Sequence, residues 1–143
     1  MDALPFLPHV RIKGKQPKPK PYVESPQTIG EHLKRARLLR GLTQAQMAKM
    51  MGVNAFTIVN WEKARTAPSV PFAPAIRRFL GYDPYPEPRT LPERMFAKRR
   101  SMGWTLTQAA YQFGVDVGTW GCWERGFVIP WPRYQRILEQ FLN

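Results

Sequence analysis

The chain repeats itself without a gap at an offset of 62 residues. Superimposing 28–80 on 90–142 gives fifteen identical positions, among them Gly41/Gly103, Thr43/Thr105, Gln46/Gln108, Ala48/Ala110, Gly52-Val53/Gly114-Val115, Thr57/Thr119, Trp61-Glu62/Trp123-Glu124 and Pro68/Pro130. The identities fall at the starts, turns and ends of helical patterns, so the repeated object is a fold unit rather than a biased composition. A chain built this way is expected to form two small units of about 53 residues instead of one domain of 143. Units of that size bury little surface alone and are only marginally stable, which favours packing of one half on the other.

Twenty-two Lys and Arg stand against ten Asp and Glu, a net charge of +12. The surplus is spread out, at +3 over 1–27, +5 over 28–88 and +4 over 89–143, so every segment faces a polyanion favourably. Charge alone says nothing about sequence-specific binding. A single cysteine, Cys122, rules out an internal disulfide and fits a reducing compartment. No apolar run is long enough to span a bilayer. The first ten residues contain Pro5 and Pro8 and lack a basic stretch followed by an apolar core, so they do not read as a signal peptide. The expected location is the cytosol, in association with the nucleoid.

Residues 1–27 alternate proline with lysine around Lys15, Lys18 and Lys20. Proline removes donors and fixes φ, so this stretch is expected to be an extended basic arm. It reads either as a tail or as an arm along phosphates or a minor groove. Thr28-Ile29-Gly30-Glu31 and Thr90-Leu91-Pro92-Glu93 are reciprocal helix caps. Ile29, Leu33, Ala36 and Leu39 then make an apolar stripe, and Gly41 and Gly103 end the first helix of each unit. Thr43 and Gln46, like Thr105 and Gln108, open a second helix, with Met47, Ala48 and Met51 facing inward in the first unit. Gly52-Val53-Asn54 makes a three-residue turn, and a third helix runs from Ala55 to about Glu62, matched by Val117 to about Glu124. A final helix is expected over 72–80 and over Pro132–Leu142. Three prolines within 82–89 make a short, stiff spacer. The expected fold class is therefore all-α: a basic arm (1–27), unit one (28–81), a Pro-rich linker (82–89) and unit two (90–143).

A second helix, a three-residue turn and a third helix give the geometry of a helix-turn-helix. The run from Gly41 to Val53, followed by Ile58, Trp61 and Glu62, resembles the Cro/C1 (XRE-type) DNA-binding family. Residues 90–143 resemble it through Gly114-Val115 and Trp123-Glu124-Arg125-Gly126. The resemblance implies a buried ion pair between the first and third helices, at Arg37 with Glu62 and at Arg99 with Glu124. It also implies that the third helix enters the major groove of double-stranded DNA. The reading positions in unit one would then be Asn54, Ala55, Phe56, Thr57 and Asn60. Asn60 suits a bidentate contact to adenine, and Ala55 or Phe56 a thymine methyl. Phe56 has a second reading, as an apolar contact with the other unit or another subunit. Gln44 matches the family glutamine that meets phosphate or base. Arg40, Lys49, Lys63 and Arg65 would hold phosphates, supplying affinity and register without sequence information.

Unit two departs where reading would occur. Leu106 stands at the position of Gln44, and Val117, Gly118 and Cys122 stand at those of Ala55, Phe56 and Asn60. None of these side chains can make a bidentate base contact. Lys98, Arg99, Arg100 and Arg125 keep the unit basic. It is expected to clamp phosphate, to pack on unit one or to make a dimer contact, unless its glycines let the backbone approach DNA. Trp104, Trp120, Trp123 and Trp131 are expected to serve core packing and the contact between units. His9 and His32 lack ligand partners, so no metal is expected, and no cofactor or catalytic set is evident. The resulting expectation is a non-enzymatic, sequence-specific transcriptional regulator. The alternatives are a protein-interaction module (an anti-repressor or antiactivator) and a DNA-bending accessory factor in recombination or plasmid maintenance. Self-association or a second regulatory protein are further partners consistent with this reading; a membrane is not.

Overall fold

The computed structural model describes residues 23–143, and the basic arm expected over 1–27 lies outside them except for its last five residues, which are not helical. Among the described residues the chain is all-helical with no strand. Helices α1 (Ile29–Leu39), α2 (Gln44–Met51), α3 (Ala55–Glu62) and α4 (Ala73–Leu80) come first, with a 3-10 turn at Val70–Phe72 before α4. Helices α5 (Leu91–Met102), α6 (Leu106–Phe113), α7 (Val117–Glu124) and α8 (Pro132–Leu142) repeat that order. The start expected at residue 72 falls one residue later, because Pro71 and Phe72 are taken up by the 3-10 turn.

Local chemistry explains the boundaries. Thr28, Thr43, Thr90 and Thr105 each cap a helix while the Glu or Gln three residues on reaches back to the cap amide, so two orphan donors are satisfied at each start. Asn54 and Asp116 cap α3 and α7 through their side-chain oxygens. Gly52 and Gly114 end α2 and α6 in the left-handed conformation, which a side chain would penalise.

Each half has its own core. In the first, Leu33, Met47, Ile58, Trp61, Ile76 and Phe79 pack together. In the second, Met95, Ala109, Trp120, Trp123 and Leu138 do so. Volume is exchanged rather than conserved site by site. Trp120 occupies the position of Ile58, and Ala109 makes room at the position of Met47, in line with close-packed interiors. At the crossing of α1 and α3, a Cβ on Gly30 would lie 1.7 Å from the Trp61 carbonyl oxygen, so only glycine fits there.

Two expected core residues lie outside. Leu39 is 58% exposed. Steps of three residues fall 60° short of a full helical cycle, so the stripe through Leu33 and Ala36 drifts off the buried face by Leu39. Arg37, four residues after Leu33, faces inward instead. Trp131 is 66% exposed, because it sits at the N-cap of α8, before the helix turns its face to the core.

The halves touch through α5, which packs on α4 and the 3-10 turn. A Cβ on Gly103 would meet Pro74 Cγ at 3.0 Å. The residues expected as a spacer are pinned at two points in their first half. Tyr82 Oη lies 2.8 Å from His32 Nδ1 of α1, and the Tyr85 ring lies 3.6 Å beneath the Arg100 guanidinium of α5.

Candidate nucleic-acid interface

The first unit holds a helix-turn-helix. Helix α2 packs on α3, and the turn between them is closed by the Val53 amide donating to the Ala48 carbonyl at 3.0 Å. Ile58, Trp61 and Glu62 turn inward, whereas Asn54, Ala55 and Phe56 in the first turn of α3 are exposed. Phe56 is 67% exposed and so is not consumed by a contact with the second unit. Thr57 and Asn60 are half-buried. Asn54 is partly committed, because its Oδ1 accepts from the Thr57 amide at 2.8 Å and the Thr57 hydroxyl at 3.1 Å. Arg40, Lys49, Lys63 and Arg65 are all exposed, with the Arg40 guanidinium 4.3 Å above the Phe79 ring.

Gln44 does not point freely outward. Its Nε2 donates to Glu62 Oε2 at 3.0 Å. Glu62 also accepts from Arg37 Nε at 2.6 Å and Arg37 Nη2 at 3.0 Å, a bidentate pair, and Arg37 Nη1 donates to the Leu42 carbonyl at 2.8 Å. This network ties α1, α2 and α3 together with both charges buried and every arm of the fork used.

The second unit builds the same network from different parts. Glu124 accepts from Arg99 Nε at 2.8 Å and Arg99 Nη2 at 2.7 Å, and Arg99 Nη1 donates to the Trp104 carbonyl at 2.8 Å. Leu106 has no donor to offer, and Trp120 Nε1 supplies the third bond to Glu124 at 2.9 Å. Sequence reasoning missed this role of Trp120. The signal was a loss of glutamine at one repeat position coupled to a gain of tryptophan at another. The cations of this unit are also less available than their number suggests. Arg100 is buried against Tyr85 and Phe96, and burial pulls its pKa below the usual arginine value while Asp83 opposes that shift. Lys98 Nζ lies 5.4 Å from the Phe141 ring centroid.

A helix presented beyond a tight turn, on a three-helix support with a basic surface, defines the helix-turn-helix class of protein. A family described as helix-turn-helix matches residues 33–85, which span most of α1 through α4 and the start of the linker. That match supports a DNA-binding regulator. No curated protein and no solved structure matches the chain. Among the described residues no helix is long and apolar enough to cross a membrane.

Proposed function

We propose that the chain is a sequence-specific transcriptional regulator that reads double-stranded DNA with unit one (28–81). Helix α3 enters the major groove, and unit two (90–143), a diverged copy of the same Cro/C1-type fold, positions unit one across the linker 82–89. The observation that carries this reading is the exposed first turn of α3 inside the matched segment, with Asn54, Ala55 and Phe56 outward and Ile58 and Trp61 inward. Phe56 and Ala55 offer apolar contact to thymine methyls, and Asn60 a bidentate contact to adenine. Arg40, Lys49, Lys63 and Arg65 bind phosphates, each neutralised phosphate steepening the dependence of log affinity on log salt by about 0.9. Gln44 keeps its bond to Glu62 while its position at the start of α2 serves the DNA backbone.

Selection of binding sites from random duplexes tests the reading, with wild type, Phe56→Ala and Asn60→Ala in parallel. An enriched motif that loses one or two base positions in a variant is the expected result. Enrichment unchanged by both variants would move reading away from α3, and binding without any enriched motif would sink sequence-specific regulation.

A further inference from the structure

The face of unit two that corresponds to the reading face of unit one is concave and apolar. Val115, Cys122, Trp123, Val128, Trp131 and Tyr134 line a groove of about 620 Å3, together with the polar Asp116 and Thr119. Gly118, which stands where unit one has Phe56, is among its lining residues. Beside it runs a strip in which Phe127, Val128, Ile129 and Trp131 replace Arg65, Thr66, Ala67 and Ser69 of unit one. Phe127 is 72% exposed and Ile129 75%. Arginines frame the strip: the Arg125 guanidinium lies 5.1 Å from the Phe127 ring centroid, and that of Arg133 lies 5.9 Å from Trp131 and 4.6 Å from Tyr134. A pocket surrounded by Trp, Tyr and Arg has the composition of a protein-binding hot spot.

We propose that this surface docks a segment of an acidic partner protein, with an apolar or aromatic anchor in the groove and flanking Asp or Glu on Arg125 and Arg133. The groove volume suits a small molecule as well, but a small molecule would leave the Phe127–Ile129 strip in water, where contiguous apolar surface is unusual for a monomer. A second copy of this chain is disfavoured, since two molecules of charge +12 would bring the same arginines together. Duplex DNA brings phosphates, and Asp116 among the lining residues would repel one placed in the groove. That carboxylate is held below its ordinary range, chiefly by the Thr119 hydroxyl and amide, and stays ionised at neutral pH. A peptide places its acids only where the arginines are. The proposal stands apart from DNA reading by α3, because none of its residues lies in unit one.

Random twelve-residue peptides displayed on phage are selected against the full chain, and the enriched peptides are titrated by fluorescence anisotropy against wild type, Ile129→Asp and Trp131→Ala. Both replaced side chains are exposed, and circular dichroism with the thermal midpoint serves as the control for folding. The expected result is an enriched apolar residue flanked by Asp or Glu, bound at least tenfold more weakly by both variants. Trp131→Ala leaves the net charge unchanged. Acidic peptides that bind it as well as wild type would be held by bulk charge alone, which would overturn the proposal. It is equally overturned if no peptide is enriched, if sedimentation finds a wild-type dimer that Ile129→Asp dissolves, or if DNA affinity itself falls tenfold in both variants.

Discussion

Glu62 and Glu124 each collect three donors, and the third donor differs between them. Gln44 serves one from the start of α2, and Trp120 serves the other from within α7. The arginine–glutamate pairs were implied by the family resemblance, and both are formed. The third donors were not legible, because a sequence does not say which indole reaches across a helical turn. The burial of Arg100 was hidden for the same reason: it depends on Tyr85, fifteen residues away in a segment without regular structure. Removing Glu62 leaves the Arg37 guanidinium buried without a countercharge. Glu62→Ala is therefore expected to cost about 3–5 kcal/mol, measured by urea denaturation. A second residue-scale effect concerns Ala64, which holds φ at 54°, the conformation that Gly126 adopts at the repeat position with φ at 73°. The left-handed region costs a non-glycine residue about 1–2 kcal/mol, offset in part by the greater unfolded-state freedom of glycine. Ala64→Gly is expected to raise stability by up to about 1 kcal/mol, and Gly126→Ala to lower it by a similar amount, both read as shifts in denaturation midpoint.

At the scale of elements, capping chemistry made the helix starts readable. All four Thr-initiated caps begin where the Thr-x-x-Glu or Thr-x-x-Gln spacing places them. Ends and faces were less readable, as Leu39 and Trp131 show, because three-residue spacing drifts and a cap residue belongs to no face. The caps also carry a pH signature. Amides of Gln27 and Thr28 hold the Glu31 carboxyl below 4.5, and those of Arg89 and Thr90 do the same for Glu93. Burial likewise lowers His32 below 6.5, favouring its neutral form. In each case the unfolded chain binds protons first. Stability is thus fully present above the unfolded-state value and is lost as pH falls through the folded-state value. Thermal midpoints are expected to decline gently below pH 6.5 and again below pH 4.5. Glu31→Gln should flatten the second decline, and a profile unchanged by that variant would refute the assignment.

For the molecule as a whole, the order of four helices followed by four more agrees with the 62-residue offset of the sequence, but the contact between halves was not legible there. The prolines of 82–89 read as a spacer, yet Tyr82 and Tyr85 fasten that segment to α1 and α5, and α5 rests on α4. Arg100 over Tyr85 is a largely desolvated cation–π contact, a type worth about 2 kcal/mol. Arg100→Ala is expected to free the segment, seen as several-fold faster proteolysis within 82–89 while circular dichroism stays unchanged. Cleavage at the wild-type rate would mean that α4 and α5 hold the halves together without it.

Of the five tryptophans, only Trp61 belongs to the first half. The molecule thus carries its own optical label, and its intrinsic emission is mostly that of the second half. A Trp61→Phe variant would make the first half dark, so fluorescence and circular dichroism followed in one denaturation would separate the melting of the two halves. With Trp131 at the surface beside the groove and Trp120 fully buried away from it, the same light would distinguish a partner arriving at the groove from a core coming apart.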